Sequence, residues 1–110
     1  MPQIRFRGIS VEQIKEISKP LVEELAKLCE CGTDNFTLEC VHSTYIFDGQ
    51  TTEMYPFIEV EWFERGRKVR DAFAGILTKH VLGLGMEEVE VAFNIYREEG
   101  YYMNGESCAE

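Results

Sequence analysis

The order in which hydrophobic periodicities follow one another constrains this chain more than any single residue does. In "PQIRFR" at 2–7, Ile4 and Phe6 fall on one side and Gln3, Arg5 and Arg7 on the other, as in a strand with one buried face. Gly8 ends the run. "SVEQ" at 10–13 then has the form of a capping box, with Ser10 as N-cap and Gln13 reaching back to it. Val11, Ile14, Ile17, Leu21, Val22, Leu25 and Leu28 keep to one face at a helical period of about 3.6 residues. Pro20 removes a hydrogen bond inside this stretch, but the apolar phase continues across it, so the sequence predicts one bent helix closed by Gly32. "FTLECVHSTYIF" at 36–47 is rich in aromatic and β-branched residues and reads as a single strand ending at the turn "DGQ".

The same order then starts again. "PFIEVEWF" at 56–63 alternates, with Ile58, Val60 and Trp62 on one side and Phe57, Glu59, Glu61 and Phe63 on the other. "RGR" at 65–67 opens a helix with Val69, Ala72, Phe73, Ile76, Leu77, His80, Val81 and Leu84 on one face, and Gly83 and Gly85 form its stop. "EEVEVAFNIY" at 87–96 gives a last long strand, and Asn104-Gly105 marks a turn or hairpin in the tail.

Two consecutive β-α-β units follow, at about 2–47 and 56–97, with a tail at 98–110. Right-handed crossovers put both helices on the same side. The predicted fold class is therefore α+β, one domain over 1–110 with a four-stranded mixed sheet and two helices on one face. Strand parity sends Arg5, Arg7, Glu39, Glu59, Glu61 and Glu90 to the other face, with Phe57, Phe63 and Tyr96. Such a face is too apolar in places to be simply solvated, so self-association is expected there.

Composition narrows the partners. Twenty acidic against eleven basic residues give a net charge of −9, which repels a phosphate backbone, and acids flank the densest basic run, "RGRKVR". No nucleic-acid partner is expected. No segment approaches the roughly 18 apolar residues of a membrane span, and "MPQIRFRGISVEQ" lacks the apolar core of a secretory signal. The expectation is a cytoplasmic protein without membrane contact, whose Cys29, Cys31, Cys40 and Cys108 stay reduced. "CEC" with one distant cysteine does not fit paired C-x-x-C zinc ligands, so neither metal nor cofactor is expected.

Pro2 gives this architecture a chemical meaning. A strand tolerates proline at its first residue because that residue need not donate to the ladder. With Met1 trimmed, however, Pro2 becomes a rigid secondary amine at the start of the fold. The duplicated β-α-β unit starting at Pro2 resembles the tautomerase superfamily, which includes 4-oxalocrotonate tautomerase and macrophage migration inhibitory factor. The helix from about residue 11, the "GR" opening the second helix and the tail "GYYMNGE" agree with it. "YPFIEVEWFERG" and the overall length are most similar to an uncharacterised bacterial domain-of-unknown-function group with that fold.

The resemblance implies a homotrimer with inward-facing sheets and the Pro2 amine in a pocket near a subunit boundary. There it acts as general base, moving a proton between carbon and oxygen of a small keto–enol substrate. An α-amino group titrates at about 7.7–8.0 in model peptides, and apolar and cationic neighbours lower that, leaving a neutral base at cellular pH. A retained Met1 makes the same nitrogen a non-basic amide. Departures from the family pattern bear on the substrate. Ile9 precedes Ser10 where dicarboxylate-specific members place an arginine, and a second family arginine falls near Thr37 to Glu39. The lysine of the cytokine-like member falls near Thr33. A substrate with at most one carboxylate is implied.

The resemblance makes Arg67 the first choice of carboxylate clamp, with Arg65 and Arg70 as substitutes, although an arginine near Glu64 also reads as a surface ion pair. Tyr45, Tyr101, Tyr102 and Asn104 are candidates to line the pocket with hydroxyl and amide groups; packing against a neighbouring subunit is their other reading. His80, in the middle of an apolar helix face, reads as a satisfied core histidine, and Glu39 as a solvated or salt-bridged carboxylate. The alternative to an enzyme is a non-catalytic trimeric binding or structural protein that keeps the fold without the arginines. A thiol redox role for Cys29 and Cys31 needs a low-pKa thiolate that the spacing does not supply.

Overall fold

The computed structural model describes residues 2–109. The first half consists of β1 (Gln3–Arg7), α1 (Val11–Cys29), a short 3-10 turn and β2 (Thr37–Val41), followed by a hairpin of β3 (Tyr45–Phe47) and β4 (Gln50–Thr52). The second half repeats the order with β5 (Phe57–Phe63), α2 (Arg67–Leu82) and β6 (Glu90–Tyr96), and ends in a small hairpin of β7 (Tyr102–Met103) and β8 (Glu106–Ser107). The main sheet has the order β2-β1-β5-β6. Each half is a parallel pair, β1 with β2 and β5 with β6, and the antiparallel pairing of β1 with β5 joins them. This is the predicted fold class.

The core lies between the sheet and the two helices. Ile4, Phe6, Ile58, Val60 and Trp62 from the strands meet Leu21, Leu25, Phe73, Leu77 and Val81 from the helices, all fully buried. Phe73 lies edge-on to Trp62 at 4.9 Å and near Phe36 and Phe93, at 6.4 and 5.9 Å. Across the outer seam of the helices, Lys79 Nζ lies 2.8 Å from Glu24 Oε2 and His80 Nε2 lies 2.9 Å from Glu24 Oε1. His80 is thus satisfied as its position in the sequence predicts, but it lies half-buried at the seam between the helices and not in the core.

The capping box forms as read: Gln13 N–H donates to Ser10 Oγ at 3.1 Å, and Ser10 N–H donates to Gln13 Oε1 at 3.1 Å. α1 runs unbroken through Pro20. Two readings need correction. Glu30, not Gly32, takes the left-handed position that ends α1 (φ 55°), and Cys31 N–H reaches back to the Ala26 carbonyl at 3.1 Å. The single strand over 36–47 is really two. β2 stops at Val41 because Val41 pairs with Arg7, the last residue of β1, and beyond it no partner strand continues. The chain then folds back on itself at Asp48-Gly49, both with positive φ, as a two-residue hairpin turn requires.

Two outcomes test this core. Phe73→Ala is expected to cost about 3–5 kcal/mol in denaturant unfolding, since it empties an aromatic site with no solvent access. Lys79 and His80 hold the Glu24 carboxyl below its ordinary range by hydrogen bonds and charge. Its contribution to stability is therefore present above the ordinary carboxylate range and lost as the pH falls through the depressed value. Glu24→Gln should flatten the acid limb of a Tm-against-pH curve; an unchanged limb would show that the pair contributes nothing.

Candidate functional site at the Pro2 end of the sheet

Because Gln3 pairs with Glu61, the register carries Pro2 alongside Trp62 at the last turn of the ladder. On its other side the Pro2 carbonyl accepts the Thr37 N–H at 3.2 Å, so the start of β1 is held between β2 and β5. The Pro2 ring is fully buried. The C-terminal end of α1 and the loop into α2 reach this same end of the sheet.

On the helix side the site is built around Trp62, packed against Phe73 and Phe93 at 4.9 and 5.0 Å. The Arg65 guanidinium carbon lies 5.7 Å from the Trp62 ring centre. Both the indole Nε1 and the Arg65 Nε are buried without a hydrogen-bond partner. Burial pushes the Cys29 thiol up, and the Arg65 charge pulls it the other way. A half-buried thiol with a raised pKa is a poor nucleophile, which argues against a redox role for Cys29. Glu64 braces the loop: its Oε2 accepts the Gly66 N–H at 2.7 Å and pairs with Arg70. Gly66 has φ 95°, which a side chain would strain.

On the open side, Tyr96 O–H donates to Glu61 Oε1 at 2.9 Å, and Arg5 lies between Glu39 and Glu61, at 3.3 and 3.8 Å. Phe63, Tyr96 and Tyr101 form an aromatic cluster with centroids 5.0 to 6.1 Å apart. Burial raises the Tyr96 phenol, and its hydrogen bond to the Glu61 carboxylate raises it further.

The candidates read from sequence do not all gather here. Tyr101 does, through Phe63 and Tyr96. Tyr102 and Asn104 lie on the terminal hairpin, Tyr102 exposed and Asn104 at the turn with φ 52°. Arg67 is the first residue of α2, with its side chain 86% exposed and facing Asp71 at 3.6 Å. Tyr45 lies past the end of β2, at the opposite end of the sheet from Pro2. There it lines a cleft of about 540 Å3 with Ile9, Cys40, His42 and Met54. A second cleft, about 770 Å3, follows the C-terminal half of α1 and the turn after it, and Pro2 lines neither. Among the described residues no three His, Cys, Asp or Glu side chains gather as metal ligands. The stacking of Arg65 on Trp62 had a signal in the sequence, an aromatic residue three positions before an arginine at a strand end, but one too common to single out.

The pattern of a domain of unknown function, DUF1904, matches residues 1–107. The chain belongs to the DUF1904 family. Among solved structures it is similar to the DUF1904 domain from Sebaldella termitidis ATCC 33386, with 36% identity, a TM-score of 0.90 and coverage of 97% of this chain and 99% of that one. It also resembles a macrophage migration inhibitory factor-like protein from Entamoeba histolytica, with 15% identity, a TM-score of 0.72 and coverage of 96% and 97%. A fused 4-OT, wild type and solved as an asymmetric trimer, gives 12% identity, a TM-score of 0.81 and coverage of 96% and 95%. The last two likenesses are of fold, and they show that this DUF1904 chain has the tautomerase/MIF architecture. No curated protein matches it.

The Tyr96–Glu61 contact in this DUF1904 chain can be read by ultraviolet titration of the phenols. Tyr55, raised first by the charge of Glu90, and Tyr96 should ionise above the ordinary tyrosine range. Tyr96→Phe should remove part of that late fraction and Glu61→Gln should move it to lower pH. A titration unchanged by both would contradict the contact.

Proposed function

We propose that this DUF1904 protein is a tautomerase-like enzyme in which the Pro2 amine is the general base. The observation that carries the reading is the burial of the Pro2 ring at the start of β1, beside Trp62 and at the end of the sheet that Arg65 overhangs. Once Met1 is removed, an amine here loses hydration. That disfavours its protonated form and leaves a lone pair at neutral pH. The pyrrolidine ring fixes the direction of that pair. In the reaction the nitrogen takes the enol proton, and the electron pair left on oxygen forms the carbonyl as the enol double bond shifts. The ammonium proton then goes to carbon, so the base is regenerated and nothing else is consumed. The substrate is a small keto–enol compound with at most one carboxylate.

The same reading makes the protein a cytoplasmic homotrimer, with the pocket at Pro2 completed by a second copy that brings Tyr45, Tyr102 or Asn104 toward it. The fused 4-OT trimer supports this by its fold, as do Ile46, Phe47, Tyr102 and Met103, which the two hairpins leave 55–75% exposed. No helix among the described residues is long and apolar enough to cross a membrane. A second reading, a trimeric binding protein without catalysis, draws on Thr33, Thr37, Leu38 and Glu39 standing where cationic residues of the family are expected.

Ketonisation of an aromatic enolpyruvate, followed by absorbance, separates the two. With the free Pro2 terminus verified by intact mass, the wild type should exceed buffer and Pro2→Ala should lose about 10²–10⁴-fold of the rate. A rate at buffer level with Pro2 free favours the binding protein. Activity that survives Pro2→Ala removes proline from the mechanism.

A further inference from the structure

We propose that the cleft at the opposite end of the sheet from Pro2 is a site for a soft monovalent metal ion, Cu(I), held by the Cys40 thiolate, the His42 imidazole and the thioethers of Met54 and Met86. The proposal is independent of the tautomerase-like reading, since none of these residues lies at the Pro2 end.

The topology brings the four together. β1 and β2 run toward this end of the sheet, while β5 and β6 start from it. Cys40 is the last residue but one of β2, and His42 follows the strand; Met54 precedes β5, and Met86 lies in the turn between α2 and β6. All four line one cleft of about 540 Å3. About one residue in eight of the chain lines this cleft, yet four of its ten cysteines, methionines and histidines do.

The donor types select the ion. Thiolate and thioether sulfurs are soft ligands that favour Cu(I), and imidazole also suits copper. Structural zinc takes four thiolate, imidazole or carboxylate ligands, and among the described residues no three His, Cys, Asp or Glu side chains gather. Only when thioethers are counted does a donor set form, so the cysteine spacing, which tests for zinc, gives no sign of it. The Cys40 thiol donates to the Ile9 carbonyl at 3.4 Å, a weak bond. On binding, its proton goes to solvent and the sulfur lone pair forms the bond to the metal. Met54 is 44% exposed, and the flexible stem of a methionine lets its sulfur swing inward. Glu53 also lines the cleft, in a chain of net charge −9, so the field favours a cation.

The test is a titration of the purified protein, isotope-labelled at its methionine methyl carbons, with Cu(I) supplied as the acetonitrile complex in the absence of oxygen. Cu(I) is diamagnetic, so each methyl resonance reports on its own sulfur. One equivalent should shift the Met54 and Met86 methyls and leave that of Met103, on the terminal hairpin, in place. In competition with bathocuproine disulfonate, Cys40→Ser and Met54→Leu should each weaken binding about tenfold or more, since each removes a soft ligand. Cys31→Ser removes a thiol at the Pro2 end and should leave the affinity as it was. Circular dichroism checks that the variants fold; should Cys40→Ser fail to, Met54→Leu and Met86→Leu, which nearly conserve volume, carry the comparison. Met54 and Met86 methyls that stay in place, an equal shift at Met103, or unchanged affinity in the folded variants overturns the proposal. So does binding that is lost in Cys31→Ser, which would put the ion at the other end of the molecule.

Discussion

The antiparallel pairing of β1 with β5 is the contact on which the rest of the structure depends. Each half of the chain can make its own parallel pair, but half a sheet leaves one side of its strands unpaired and half a core uncovered. Joining Gln3–Arg7 to Phe57–Glu61 makes Ile4 face Val60 and Phe6 face Ile58, all four fully buried under both helices. A shift of one residue in this register would turn those side chains to the open face and bring Arg5 and Arg7 into the core. The same register puts Pro2 beside Trp62, so the proposed chemistry and the core are set by one ladder.

Charge is distributed to match. On the open face Arg5 and Arg7 are threaded between Glu39, Glu59 and Glu61, and Arg7 also lies 4.9 Å from the Phe57 ring centre. Such partly exposed pairs add little to stability. Their effect is to offset most of the acidic charge in the middle of this face, where Glu61 also accepts the Tyr96 hydroxyl.

The fold was legible because its signals are long-range periodicities, which survive local irregularity. Ile58, Val60 and Trp62 alternate over a whole strand, and Ser10 with Gln13 marks the start of a helix by a reciprocal bond. The errors came where a local rule met a tertiary one. "FTLECVHSTYIF" has strand composition throughout, but a strand needs a neighbour, and β1 ends opposite Val41. The Asp48-Gly49 pair carries the signal for the hairpin, since both residues take positive φ. The site was less legible, since composition cannot tell a paired arginine from an unpaired one. Arg67 and Arg65 lie two residues apart in one basic run, but α2 turns Arg67 outward to Asp71 while the loop before it lays Arg65 on Trp62.

The clefts of a single chain and the place of Pro2 do not coincide, and this bears on what the functional unit is. The radius of gyration, 15.2 Å, exceeds the roughly 13 Å of a compact domain of about this length. The longest dimension is 49 Å against 29 and 25 Å for the others. Two hairpins outside the main sheet, each of two short strands, are marginal on their own in water. Ile46 and Phe47 are 72% and 75% exposed on one, and Tyr102 and Met103 are 61% and 55% exposed on the other. Projecting strands that carry apolar side chains gain most by lying on another surface, and the free energy available there lies outside the main sheet and its core.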